Sequence, residues 1–261
     1  MRFLGTSLVL IMGLMSCQNL YRDLPNKSSD AYYIDKADYH FGRFEFDKAL
    51  EFILPVYATQ PNNLRVVKLA YGSYAGRAGL RSLDMITELG SASDGFFAVF
   101  AKHFQGADDD TVADVEAAIA ILEGYSDDPA ERDVDMNVQA MFLYYSQLGV
   151  VLNNRAYDSD NEVLGSFDAC DDTDLPDEDL QKIVQAIPRA VDAASGVDET
   201  TASLVDSLNS NPLLSTFLTT QDAECPGAIA ADVTACLGMR ALINEGDSGI
   251  GIGAGALSPC P

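Results

Sequence analysis

The chain has 261 residues, 48% of them apolar, and carries 16 Lys and Arg against 40 Asp and Glu for a formal net charge of −24. The length suffices for a sizeable core in one extended domain or two small ones, and the charge excludes nucleic acid as a partner, since a phosphate backbone is held by clustered cations. The acid is unevenly spread: residues 1–100 hold 10 cations and 10 acids, residues 101–261 hold 6 and 30. Dispersed among Ser, Thr, Asn and Gly, these acids read as a solvated surface suited to a salty medium, or as an attractive face for cationic partners or Ca²⁺.

Arg2 is followed by an apolar run from Phe3 to Met15 and then by Ser16-Cys17. This is the charged start, apolar middle and small-residue cleavage site of an export signal. Leu14-Met15-Ser16-Cys17 resembles the bacterial lipobox. The resemblance implies that residues 1–16 are a signal peptide, that Cys17 becomes the first residue, and that its sulfur and amino group carry acyl chains. The run is too short to span a bilayer, whereas several acyl chains make attachment stable. Gln18 in place of Asp after the cysteine, by resemblance to enteric sorting, implies the outer membrane, facing periplasm or exterior. Residues 17–29 are polar, contain Pro25 and lack periodicity, as a flexible tether does.

From Asp30 to Leu89 the apolar residues recur at helical spacing. They run through Tyr32-Tyr33-Ile34-Ala37-Phe41, then Phe46-Ala49-Leu50-Ile53-Leu54-Tyr57, then Leu64-Val67-Leu69-Ala70-Tyr74-Ala75. Gly42-Arg43 and Gln60-Pro61-Asn62-Asn63 separate the helices, Pro61 stopping one and the Asn pair capping the next. The stretch resembles a tetratricopeptide (TPR) repeat, a 34-residue antiparallel helix pair. Ala49 takes the small residue at the helix crossing, Tyr33 the bulky aromatic, Ala37 a small residue, Phe46 the opening aromatic of the second helix, Ile53 the large residue after Ala49, and Pro61 the closing proline. His40 stands where Tyr is usual and Val56 where a second small residue is. One period on, Val67, Ala70, Tyr71 and Tyr74 take comparable places, with Leu83 where Ala is expected. The resemblance implies a peptide-binding groove, with Tyr33, His40, Tyr71 and Tyr74 as candidate groove positions.

Met85-Ile86-Leu89 and Phe96-Phe97-Val99-Phe100-Phe104 extend the hairpins across a break at Gly90 to Asp94, with the Phe cluster as core. Asp108-Asp109-Asp110-Thr111 opens a helix running to about Gly124, its acids at the positive end of the dipole. Ser126 to Pro129 is a turn. Val134 to Asn153 is apolar on most sides and so is expected at the centre, with Tyr144 and Tyr145 in the core. Residues 154–179 form a long polar loop of the kind that is functional or disordered. No EF-hand register fits it; an irregular Ca²⁺ site from Asp171, Asp172 or Asp174 is the alternative use of its acids. Helices are expected over Leu180 to Ala194 with a kink at Pro188, over Glu199 to Leu208, over Asn211 to Thr220 and over Ala228 to Asn244, before a glycine-rich tail.

After Cys17 the chain keeps Cys170, Cys225, Cys236 and Cys260, an even number that in an exported protein predicts two disulfides. A helix running from Pro226 through Met239 would hold Cys225 and Cys236 ~16 Å apart, beyond the ~7 Å limit on Cα separation. That leaves Cys170–Cys225 with Cys236–Cys260, or Cys170–Cys236 with Cys225–Cys260.

Catalytic patterns are missing. Gly246-Asp247-Ser248-Gly249 has neither of the chain's histidines, His40 and His103, in a flanking context that would serve it. No Walker sequence, His-Glu-x-x-His or Gly-x-Ser-x-Gly occurs. The expected architecture is all-α: stacked antiparallel hairpins over 30–153, TPR-like, followed by a disulfide-tied acidic part over 154–261. The expected role is a non-enzymatic envelope lipoprotein, without cofactor, that binds a protein or peptide in its groove. The order Ala49-Leu50, Pro55, Gln60-Pro61-Asn62-Asn63 also resembles the T-component lipoproteins of TRAP transporters, which implies small-ligand handling as the alternative.

Overall fold

The computed structural model describes residues 27–91, 95–197, 224–225, 230–245, 251–252 and 260. The signal peptide over 1–16, Cys17, the tether up to residue 26, the helices expected at Glu199 to Leu208 and Asn211 to Thr220, and most of the glycine-rich tail lie outside them. The fold is all-helical, with α1 Asp30–Phe41, α2 Phe46–Tyr57, α3 Leu64–Arg77, α4 Ser82–Ser91, α5 Phe96–His103, α6 Asp109–Tyr125, α7 Val134–Ala156, α8 Asp177–Ser195 and α9 Ala230–Asn244.

Local chemistry sets most of these boundaries. Ser29 accepts from the Tyr32 amide at the start of α1, and Asn63 from the Arg65 amide at the start of α3. Asp108 and Thr111 bond reciprocally in a capping box that opens α6. Asp133 accepts from the Met136 amide at 2.7 Å and opens α7. At the end of α3 the Leu80 amide donates to Ala75 O and the Gly79 amide to Gly76 O, with Gly79 at φ +95. This is the Schellman arrangement, whose left-handed residue is usually glycine.

The packing order differs from a simple run of hairpins in sequence. Helix α1 packs on α2 and α2 on α3, with α1 also touching α3. Ala37, Ala49 and Ile53 are fully buried within this unit. The next partner of α3 is α6, not α4 as expected from the sequence; α6 then packs on α7, and α7 on α8. Helices α4 and α5 are an excursion inside the second pair: α4 lies against α5, and α5 against α7. The stack is therefore α1/α2, α3/α6 and α7/α8, with α4 and α5 interposed.

Two close approaches hold this order. Arg77 on α3 donates through Nε and Nη2 to Asp114 on α6 at 2.7 and 2.5 Å, and through Nη1 to Asp47 on α2 at 3.0 Å. At the α5/α7 crossing, a Cβ on Gly149 would sit 2.5 Å from the carbonyl oxygen of Phe100. Glycine there lets α5 lie directly on α7. Phe97, Phe100 and Phe104 of this contact are buried, as the periodicity predicts. Helix α7 is central, buried from Met136 to Ala156 along most of its length. Tyr144 donates to Glu123 at 2.9 Å, and burial pushes the Tyr145 phenol up to about 12.

The acidic part packs onto the first through α7 and α8, and α9 onto α8. Its loop is pinned by α9: Arg240, 3% exposed, donates to Ala169 O and pairs with Asp172 and Asp177 at 2.8 Å each, while Asn244 accepts from the Ala169 amide. The disulfides correct the sequence reading. Cys225 pairs with Cys236, their Cα atoms 5.8 Å apart, and Cys170 with Cys260 at 5.4 Å. The first of these is the pair that the assumed helix from Pro226 had set aside. Helix α9 starts at Ala230, so Cys225 precedes it and can fold back on Cys236. Peptide mapping of the unreduced protein is expected to recover Cys170–Cys260 and Cys225–Cys236 as separate linked pairs; a Cys170–Cys225 or Cys170–Cys236 peptide would contradict this topology.

Candidate functional site

Leu64, Lys68, Gly72 and Gly76 form one ridge of α3, spaced by four residues and inclined to the helix axis, so that its two ends lie about 120° apart around the helix. The row runs ~18 Å along the helix, with the Phe41 ring over Gly72 and the Phe46 ring over Gly76. Three surface recesses open along it. The outer one, about 700 Å³, lies between Phe44, Phe46, Gly76, Leu80 and Leu83. An inner one of about 240 Å³ shares Phe44, Phe46, Gly76 and Leu80 with it and reaches Tyr71, Gln139 and Leu143. A third, about 550 Å³, shares Phe41, Gly72 and Gln139 with the inner one and extends past Lys68 to Leu64. Shared walls make these one groove. The α1–α2 turn is one side of it, α3 the floor, and α7 with the start of α4 the other side.

The groove exposes apolar surface. Phe44 and Leu83, facing the outer recess, are each 80% exposed. Phe44 has φ +60, and its amide donates to Phe41 O while the Glu45 amide donates to His40 O. This is the same Schellman arrangement that closes α3, with phenylalanine at the position glycine takes there. A bulky residue in the left-handed region is strained by ~1–2 kcal/mol. The fold thus carries an unfavourable residue whose ring stands in solvent, 6.1 Å from Phe46.

The two ends of the groove differ in charge. At the Leu64 end, Arg65 pairs with Asp35 and Asp38 at 3.2 and 2.9 Å, and Lys68 with Asp133 and Asp135 at 3.1 and 2.6 Å. The side chains of these acids are 70%, 53%, 46% and 62% exposed, so the carboxylates outnumber the cations on an open rim. The Met136 amide, with Lys68, holds the Asp133 carboxyl below the usual range. At the other end Arg81 is 3.9 Å from Asp84, near balance.

Of the residues expected in a groove, Tyr71 alone lines this one. It is 1% exposed, at the floor of the inner recess, and its hydroxyl is buried with no hydrogen-bond partner among the described residues. Burial raises its phenol well above the ordinary value. Tyr33 and His40 turn to α2 instead: both rings pack on Phe52, at 6.0 and 5.5 Å, and His40 Nδ1 lies 2.6 Å from Glu45. Tyr74 lies under the Arg77 guanidinium at 5.2 Å. The repeat register puts these three on one groove face, whereas the recesses are lined by Phe41, Phe44, Phe46, Leu80 and Leu83. That register has no place for Phe44, which lies in the turn between α1 and α2, and gives Leu83 only as a bulky residue where Ala is expected.

The acids proposed for Ca²⁺ do not converge. Asp171 accepts from the Thr173 amide and hydroxyl at 2.8 Å each, Asp172 pairs with Arg240, and Asp174 accepts from the Asp168 amide at 2.8 Å. Among the described residues no group of three or more His, Cys, Asp or Glu is placed to hold a metal ion. His103 Nδ1 lies 2.7 Å from Glu88, away from the groove. Among the described residues no helix is long and apolar enough to cross a membrane.

No protein-family model, curated protein or solved structure matches the chain.

The strain at Phe44 sets a testable sign. Phe44→Gly is expected to stabilise the protein by about 1 kcal/mol in urea unfolding, since glycine adopts positive φ freely. Destabilisation by a similar amount would mean that the ring is held by the fold.

Proposed function

We propose that the protein is a lipid-anchored envelope protein, attached through Cys17, that acts without catalysis by receiving a segment of another protein in the groove along α3. The observation that carries this reading is the open apolar groove, lined by Phe41, Phe46 and Leu80 and flanked by the exposed Phe44 and Leu83. Isolated apolar residues on a surface are ordinary, but aromatic and aliphatic side chains gathered around one recess mark interaction sites. Helical stacks commonly bind extended or helical segments in such grooves. The lipobox-like Leu14-Met15-Ser16-Cys17 and the polar tether after it support attachment to a bacterial membrane, and Gln18 supports the outer membrane.

The outer recess, at about 700 Å³, is also within the range of small-ligand sites. That volume favours the small-ligand alternative; the elongated, open form of the whole groove favours a polypeptide.

A photo-crosslinking side chain placed at Leu83 in cells is expected to give an adduct of discrete mass with an envelope protein. The same group at Leu164, 40% exposed on the acidic loop, is the control and is expected to give none. Equal adducts from both positions, or none from Leu83, would overturn the groove as the binding face.

A further inference from the structure

The groove's charge pattern names the chemistry of its occupant. We propose that it receives a basic amphipathic helix of a partner protein, with the apolar stripe against Phe44, Phe46 and Leu80 and the cationic end against Asp35, Asp38, Asp133 and Asp135. The proposal rests on the groove reading above and adds the class of partner.

The groove has the length a helix requires. Its row from Leu64 to Gly76 is ~18 Å long, the length of about 12 helical residues. Phe41 and Phe46 pack over Gly72 and Gly76, so an incoming helix would meet their rings and not the α3 backbone. The apolar wall is concentrated at the Gly76 end, where Phe44, Phe46, Leu80 and Leu83 surround the outer recess.

Charge decides between occupants. At the Leu64 end four carboxylates surround Arg65 and Lys68, and each cation is already engaged by two of them. An anionic headgroup of a lipid or fatty acid would find no cation free of carboxylates at this end. The excess negative potential favours a positive group instead. A second copy of the chain is disfavoured by the net charge of −24 that each copy would bring. Phe44 adds an independent argument. Its ring is 80% exposed on a backbone that favours glycine, so its presence is better explained by a contact with a partner than by the fold.

The test uses the full mature chain in phosphatidylcholine nanodiscs, so that a basic probe does not adhere to the lipid. The probe is a fluorescein-labelled helical peptide of about 14 residues, with leucines at helical spacing and a lysine cluster at one end. Its twin carries glutamates in place of the lysines. Fluorescence anisotropy is expected to show the lysine peptide binding at least about tenfold more tightly than the twin. Phe44→Gly is expected to weaken both peptides about tenfold without lowering the melting temperature. Asp35→Asn combined with Asp135→Asn is expected to bring the two peptides to within about twofold, while Asp133 still caps α7.

Equal affinity for the two peptides, both lost in Phe44→Gly, would overturn the basic partner and leave the groove standing. Absence of binding by either peptide, together with no adduct from Leu83, would overturn the groove as well. A dimer in sedimentation equilibrium that Phe44→Gly dissolves would assign the face to a second copy and overturn the proposal.

Discussion

Helix α7 must be covered on several sides, and the arrangement of the other helices follows from that requirement. From Met136 to Ala156 it offers Phe142, Leu143, Leu148, Val150, Val151 and Leu152 around most of its circumference, each nearly or fully buried. At about 1.5–3 kcal/mol for each buried aliphatic or aromatic side chain, leaving one face of such a helix in water would cost a large part of a domain's usual margin of stability. Two neighbours in a hairpin stack, α6 and α8, cover two sides. The third is covered by α5, which approaches closely enough for Gly149 to lie against the Phe100 carbonyl. The excursion of α4 and α5 is thus a consequence of the composition of α7.

That solution shapes the groove. Because α5 occupies the face of α7 toward its C-terminal half, the uncovered surface is the stretch where α3 meets the early turns of α7, near Gln139 and Leu143. The loop into α4 brings Leu80 and Leu83 to one end of this stretch, and the α1–α2 turn brings Phe44 and Phe46 beside them. Phe41 and Phe46 take up the space over Gly72 and Gly76, so their rings surface the floor of the groove. A stack with α4 paired on α3 would have closed this surface. The acidic rim arises separately, from Asp35 and Asp38 on α1 and from the cap and first turn of α7.

The sequence revealed features encoded within a few residues of one another. Helical spacing located α1 to α3, Asp108 and Thr111 located the start of α6, and the near-continuous apolar run identified α7 as central. Partner choice was not legible, because the face of α3 that meets α6 is decided by Arg77 reaching Asp114 across 37 residues. The disulfide error has a local cause: a helix assumed to begin at Pro226 carried Cys225 along with Cys236, whereas a start at Ala230 frees the earlier cysteine. The groove lies off the repeat register. Tyr33 and His40 belong to the α1/α2 interface, and the left-handed turn that exposes Phe44 falls two residues beyond the glycine that seemed to mark it.

The groove depends on α3 pairing with α6 across the α4–α5 excursion. A double-mutant cycle on Arg77→Ala and Asp114→Ala, read by urea unfolding, tests it most directly. Asp114 is nearly buried and bonded twice to Arg77, so a coupling energy of about 1–2 kcal/mol is expected. Strict additivity of the two substitutions would contradict the stacking order and, with it, the groove.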